Sequence, residues 1–279
     1  MKELQTVRVL LRIAYDGTSY CGFQEQKSGV PTIERSLREA IGMLTGEDTE
    51  IIGGSRTDAG VHAHDNVAVF DTSSRIPPEK FALALNRYLP PDIRIFHSCE
   101  TALDFHPRHC SCLKTYVYRI AAMPIEDPLL SRYASWCGFD LDVEKMRKAA
   151  SYLVGEHDFK SFCSIYTTAL TTVRTITGIE ILSTAGEKYG MFRSGNPGSV
   201  IEIRVEGTGF LYNMVRIIAG SLIEAGRGAM EPDSFPAILA ARDRRKAGPT
   251  APARGLTLEK YVFVSDPSKD IDKPFQHDI

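Results

Sequence analysis

The chain of 279 residues has no apolar run approaching the roughly 20 residues that a membrane helix needs. Its opening residues, Met1-Lys2-Glu3-Leu4-Gln5, carry no apolar core of the kind a signal peptide requires, so a cytoplasmic location is expected. Net charge is also nearly absent, with 33 Lys plus Arg against 35 Asp plus Glu and a balance of -2. Overall charge therefore attracts no partner, and any nucleic-acid site must be a local patch. The six cysteines, at 21, 99, 110, 112, 137 and 163, form no C-x-x-C pair. Cys110 and Cys112 alone stand close, which is a weak metal signal beside the plainer reading of reduced cytosolic thiols, and no metal is assigned. There is no G-x-x-x-x-G-K-[ST] loop, no G-x-G-x-x-G after a strand, no H-E-x-x-H and no G-x-S-x-G. Nucleotide hydrolysis, hydride transfer and zinc chemistry lose support accordingly.

What is present is a chain with 43% hydrophobic residues, enough to bury a sizeable core in one large or two ordinary domains. Val7 to Tyr15 reads as a strand closed by the turn signal Asp16-Gly17-Thr18. Pro31-Thr32 then introduces a helix with apolar residues at 33, 37, 40, 41 and 44, ended by Gly46. Short strands follow at Ile51-Ile52 and Asn66 to Phe70, a helix started by Pro77-Pro78-Glu79 and running to about Tyr88, and a strand at Ile93 to Phe96. The same order returns: a strand at Thr115 to Ala121, a helix at Val143 to Val154, strands at Thr171 to Leu182 and Val200 to Val205, helices at Leu211 to Ala225 and Ser234 to Ala241, and a closing strand at Leu256 to Val264. Two β-α-β-β-α-β passes give an α+β fold of two ferredoxin-like halves, with mostly antiparallel sheets and a central active-site cleft. Residues 1–105 form the first half, 106–264 the second, and the polar stretch 265–279 a loose tail.

The stretch Gly53 to Ala63 (GGSRTDAGVHA) packs three glycines, an arginine and an aspartate behind the apolar pair Ile51-Ile52. Such a tight loop after a strand suits chemistry or binding, although Asp58 also fits the plain role of a turn cap. Arg56 and Asp58 stand two apart, so an ion pair that keeps the carboxylate ionised is geometrically plausible. From Phe105 to Ile125 no acidic residue occurs, while His106, Arg108, His109, Lys114 and Arg119 interleave with Tyr116 and Tyr118. Cations among aromatics suit RNA, since phosphates meet the cations and an unpaired base stacks on a ring, and ordinary sheet core is the alternative for each tyrosine. In Gly207 to Ile223 the only charge is Arg216 on an otherwise apolar helix. It asks for an anion, either within its own half or, across the cleft, the carboxylate of Asp58. The run Arg242-Asp243-Arg244-Arg245-Lys246 leads into a Pro/Gly loop and reads as a solvated face or as phosphate contacts.

Together, the loop Gly54 to His62, the segments Asp104 to Arg108 (DFHPR), Lys114 to Tyr118 (KTYVY), Phe210 to Gly220 (FLYNMVRIIAG) and Asp243 to Leu256 resemble, in order, the TruA family of tRNA pseudouridine synthases. The resemblance spans about residues 7 to 264. It implies isomerisation of uridine to pseudouridine on the 3′ side of the tRNA anticodon stem-loop by a homodimer that uses no cofactor. It also implies Asp58 as nucleophile or base, Arg216 as its ion-pair partner, Tyr116 as the aromatic against the target base and Arg56 as a catalytic neighbour. His106, Arg108, Lys114, Arg242, Arg244 and Arg245 are the expected tRNA contacts, together with Tyr116. A non-catalytic tRNA-binding module is the competing reading, and the intact Asp58 argues against it, because binding phosphates needs no anion.

Overall fold

The computed structural model describes residues 6–26, 28–185 and 198–264. The chain forms two compact units, one running to Cys112 and resuming at Leu258, the other spanning Leu113–Thr257. The Gly-rich connection expected over 186–198 lies outside the described residues except for Gly198, and so does the tail expected over 265–279.

In the first unit, β1 (Val7–Tyr15), α1 (Ile33–Thr45), β2 (Ile51–Gly53), β3 (His62–Thr72), α2 (Phe81–Leu85) and β4 (Ile93–Thr101) follow the predicted order. The strand order is β4-β1-β3-β10, with β2 also on β3, and from Leu258 onward β10 (Leu256–Phe263) belongs to this unit. The β1–β3, β1–β4 and β2–β3 pairs are antiparallel. Helix α1 shows why its sequence folds: Thr32 caps it by accepting from the Arg35 amide, and Gly46 ends it at φ 78°. The cap contributes about 1 kcal/mol. Ile33, Leu37, Ala40 and Ile41 are the buried face. The helix expected from Pro77-Pro78-Glu79 to about Tyr88 is only a 3₁₀ turn followed by the five residues of α2. Its successor Asn86 explains the early stop, because the side-chain amide donates to the Ile95 carbonyl (2.7 Å) and accepts from the Ile95 amide (2.9 Å). Leu10, Val67, Val69, Phe105, Tyr261 and Phe263 form one core cluster. Inside this unit Arg12, only 8% exposed, makes a two-pronged ion pair with Asp65 and also donates to the Tyr261 carbonyl (2.6 Å).

The second unit holds β5 (Cys112–Ala122, from Leu113), β6 (Ser135–Cys137), α3 (Val143–Ser151), β7 (Gly155–Asp158), β8 (Val173–Ala185), β9 (Ser199–Gly207), α4 (Met214–Gly226) and α5 (Phe235–Ala241). Its strand order is β5-β9-β8-β7 with antiparallel pairs. β6, however, runs parallel to β5, so the sheet is mixed. Strands β6 and β7 were not anticipated, being three and four residues long and, in β7, wholly polar after its glycine. Helix α4 buries nearly every side chain except Arg216, Ile223 and Glu224, as its apolar sequence requires. Among the described residues no helix is long and apolar enough to cross a membrane, and none of the six cysteines forms a disulfide.

Candidate active site

The catalytic candidate Asp58 sits in the loop between β2 and β3, and that loop is gripped at almost every residue by the first unit. Backbone pairing of β2 with β3 runs through Gly53↔Ala68 and is extended by the Gly54 amide donating to the Val67 carbonyl (2.8 Å). At Ser55 the side chain of Asn66 takes over, accepting from the Ser55 amide (3.2 Å) and donating to its carbonyl (2.9 Å). Thr57 is held at its hydroxyl by Tyr15 Oη (2.7 Å) and at its carbonyl by the Phe23 amide (3.0 Å). The Asp58 carbonyl accepts from Val61 and the Gly60 amide donates to Tyr20. Gly60, at φ 76°, occupies the left-handed region that a side chain would disfavour. Beyond the turn, His62 is 3% exposed, with its Nδ1 3.1 Å from Asp16 Oδ1 and accepting from the Gly17 amide. The result is an alternation along the loop: Ser55 and Thr57 are buried, whereas Arg56 is exposed and Asp58 half-buried.

The glycines of this loop have a packing role inside the protein. A Cβ on Gly53 would fall 2.2 Å from the Phe23 ring, and one on Gly54 would fall 2.4 Å from Val67 Cγ2. Both contacts are far too short for any side chain.

The ion pair between Arg56 and Asp58 considered from the sequence does not form. Arg56 makes no hydrogen bond or ion pair with a described residue, and its side chain instead lines a pocket of about 190 Å³ with Arg108, Glu34, Glu50, Phe23 and Gly53. Among the described residues Arg108 likewise forms no ion pair. Burial, followed by the like charge of Arg56, holds the Arg108 guanidinium below its usual range, while burial pushes the Glu34 carboxyl up. The segment that carries Arg108 is anchored from behind: Arg8 donates to the Phe105 carbonyl (2.8 Å), Tyr261 donates to the Pro107 carbonyl, and Phe105 packs edge-on against Phe263. His106 stacks on His109 with ring centroids 3.9 Å apart, and burial followed by the charge of His109 lowers the His106 pKa.

In the second unit, Lys114 and Tyr116 lie on β5 opposite Gly207 and Val205 of β9. Tyr116 is 7% exposed and meets Phe210 edge-on at 5.1 Å. Its neighbour on the same face, Tyr118, is core: it is fully buried, its hydroxyl donates to the Pro252 carbonyl (2.9 Å), and burial pushes its pKa up to about 12. Arg216, half-buried on α4, donates from Nε to the Ala251 carbonyl (2.8 Å) and from Nη1 to Asn213 Oδ1 (2.9 Å). Asn213 begins the helix at φ 61°, a conformation that asparagine tolerates better than most residues. The Ala251 amide returns a bond to the Arg216 carbonyl, so the Pro/Gly loop is tied to α4. The basic run lies in the same unit and is internally paired: Arg242 with Asp158 (3.0 Å), Arg245 with Asp243 (2.8 Å), and Arg244 with the Gly248 carbonyl (2.9 Å) and Thr250.

Asn66, Tyr15, Phe210 and Asn213 were missed in the sequence. Asn66 was legible only as a polar residue inside an alternating strand, and Phe210 and Asn213 only as members of an apolar segment. Among the described residues no group of three His, Cys, Asp or Glu converges as a metal site.

Comparison with known proteins adds the family. The model for tRNA pseudouridine synthase matches residues 12–109 and 149–263. The tRNA pseudouridine synthase A 2 of Clostridium tetani is 45% identical over 256 residues, covering 91% of this chain and 98% of its own length. The tRNA pseudouridine synthase A of Brevibacillus brevis is 44% identical over 263 residues, 94% of this chain and all of its own. The A 2 enzyme of Clostridium perfringens is 46% identical over 256 residues, with 91% and 99% covered.

Proposed function

The chain belongs to the tRNA pseudouridine synthase family, and from that membership we propose that it isomerises uridine to pseudouridine in tRNA, on the 3′ side of the anticodon stem-loop, in the cytoplasm and as a homodimer. The order β4-β1-β3 with β2 on β3 supports reading the first unit as a ferredoxin-like half, and the second unit is read as its counterpart.

The reaction breaks the glycosidic C–N bond of uridine, turns the base and forms a C–C bond from the same sugar carbon. Nothing is oxidised and nothing is hydrolysed, so a carboxylate, a cation that keeps it charged and a platform for the base suffice. Asp58 acts as nucleophile or base, Arg216 as its charge partner and Tyr116 as the surface against the base. Extruding the target nucleotide costs a few kcal/mol of stacking, which a ring and a nearby cation, Arg56, offset. His106, Arg108 and Lys114 contact the phosphate backbone. Arg242, Arg244 and Arg245 are held by Asp158, by the Gly248 carbonyl with Thr250, and by Asp243 respectively, and so add only weakly to the tRNA contact.

The observation that carries this reading is the pinned loop. Ser55 and Thr57 are fixed inward on either side of Arg56, which leaves the Asp58 side chain only half-buried on a rigid corner. Incubating the protein with an unmodified tRNA transcript and mapping pseudouridines by chemical probing tests it. Conversion in the anticodon stem-loop is expected, and conversion elsewhere keeps the chemistry but replaces the substrate site.

A further inference from the structure

Asn66 is fully buried, at 0% exposure, in the middle of β3 next to the apolar run Val67 to Phe70, and no step of the chemistry employs it. A buried side-chain amide is costly unless its hydrogen-bonding capacity is filled. Here all four places are used. Oδ1 accepts from the Ser55 amide (3.2 Å) and the Val67 amide (2.9 Å), and Nδ2 donates to the Ser55 carbonyl (2.9 Å) and to Tyr15 Oη (3.0 Å). Tyr15, 4% exposed, carries the chain of bonds on to the Thr57 hydroxyl (2.7 Å).

The placement is specific. The β2–β3 ladder is backbone to backbone through Gly53 and is extended by Gly54. At the next residue, where the chain must leave the sheet, the Asn66 amide imitates the missing strand partner by meeting both the N–H and the C=O of Ser55. Through Tyr15 the same amide reaches Thr57, the residue before Asp58. One side chain therefore fixes both inward residues of the loop, and this fixes the outward direction of Arg56 and Asp58. Asn86 makes the same two-bond contact with Ile95, but there it ends a short helix away from Asp58.

We propose that Asn66, acting with Tyr15, is a positioning residue for the isomerisation: it replaces the last rung of the β2–β3 ladder and aims the Asp58 carboxylate at the nucleotide. The role rests on the function proposed above. It belongs to the chemical step and not to tRNA affinity, because neither Asn66 nor Tyr15 is exposed to a ligand. Small errors in the direction of a reacting group lower the rate steeply while leaving binding untouched.

The test uses Asn66→Asp, which keeps the shape and the two acceptors but removes both donors, and Tyr15→Phe, which removes the hydroxyl that joins Asn66 to Thr57. Single-turnover pseudouridine formation, tRNA Kd and thermal unfolding are measured on the full chain. The expected result is a loss of rate on the order of 100-fold for Asn66→Asp and about tenfold for Tyr15→Phe, with Kd within about twofold of wild type for both. If Asn66→Asp does not fold, Tyr15→Phe alone decides. A Tyr15→Phe protein that binds and reacts like wild type overturns the proposal, and so does a loss in which Kd weakens as much as the rate falls. Wild-type protein that converts no uridine overturns the function itself, an outcome separable from equal turnover by wild type and variants.

Discussion

Two basic stretches of this chain carry the same signal in sequence and fold to different ends. His106 and Arg108 stand on a segment anchored from behind by Arg8 and Tyr261, and among the described residues Arg108 meets no acid within ion-pairing distance. Arg242, Arg244 and Arg245 are all engaged, with Asp158, the loop carbonyls and Asp243 respectively. The difference lies in the acids. Phe105 to Ile125 contains none, and Glu202, which the fold brings to it, pairs with Arg119 and not with Arg108, whereas Asp243 sits inside the second run and Asp158 is brought to it by the fold. A count of cations does not find a phosphate site; a count of cations left without partners comes closer.

Four measurements break or sharpen this contrast. The largest effect is expected at Arg108. Arg108→Ala should weaken tRNA binding about tenfold and reduce the slope of log K against log salt by about one, as the loss of one phosphate contact requires. An unchanged slope would remove the distinction between the two stretches. Next is Arg244→Ala, which should lower stability by about 1 kcal/mol through the lost bonds to Gly248 and Thr250, measured by denaturant unfolding, with the salt slope preserved. Arg245→Ala should change neither unfolding nor binding measurably, because its ion pair with Asp243 is exposed.

The smallest effect concerns pH. The folded pKa of His106 is lowered, so the unfolded chain binds its proton more readily than the folded one. Its contribution to stability is complete above the unfolded histidine value and is lost as the pH falls through the folded value. His106→Gln should therefore flatten the acid side of the stability curve slightly, seen as a smaller drop in Tm between neutral and mildly acidic buffer.

What was legible in the sequence had local causes. Helix α1 was readable because its buried stripe, its Thr32 cap and its Gly46 stop all lie within fifteen residues. The loop around Asp58 was readable from its glycines, and Arg216 from its isolation on an apolar helix. The rest depends on partners distant in the chain. Asn66 meets Ser55 eleven residues away and Tyr15 fifty-one away, so no periodicity reveals that it extends the β2–β3 ladder. Arg56 stands two residues from Asp58, yet its side chain turns to the pocket that holds Arg108. Strand β6 is three residues long and pairs in parallel with β5, a contact that a reading by hairpins does not look for. The early end of α2 likewise follows from Asn86 reaching Ile95.

The most direct test of the account is the turnover of Asp58→Asn. The substitution preserves size and removes the charge, and the backbone of the loop that presents residue 58 is held by Asn66, Tyr15, Phe23 and Tyr20. The variant should fold, bind unmodified tRNA as wild type does and form no detectable pseudouridine. Full pseudouridine formation by Asp58→Asn would contradict the central claim that this carboxylate carries the chemistry.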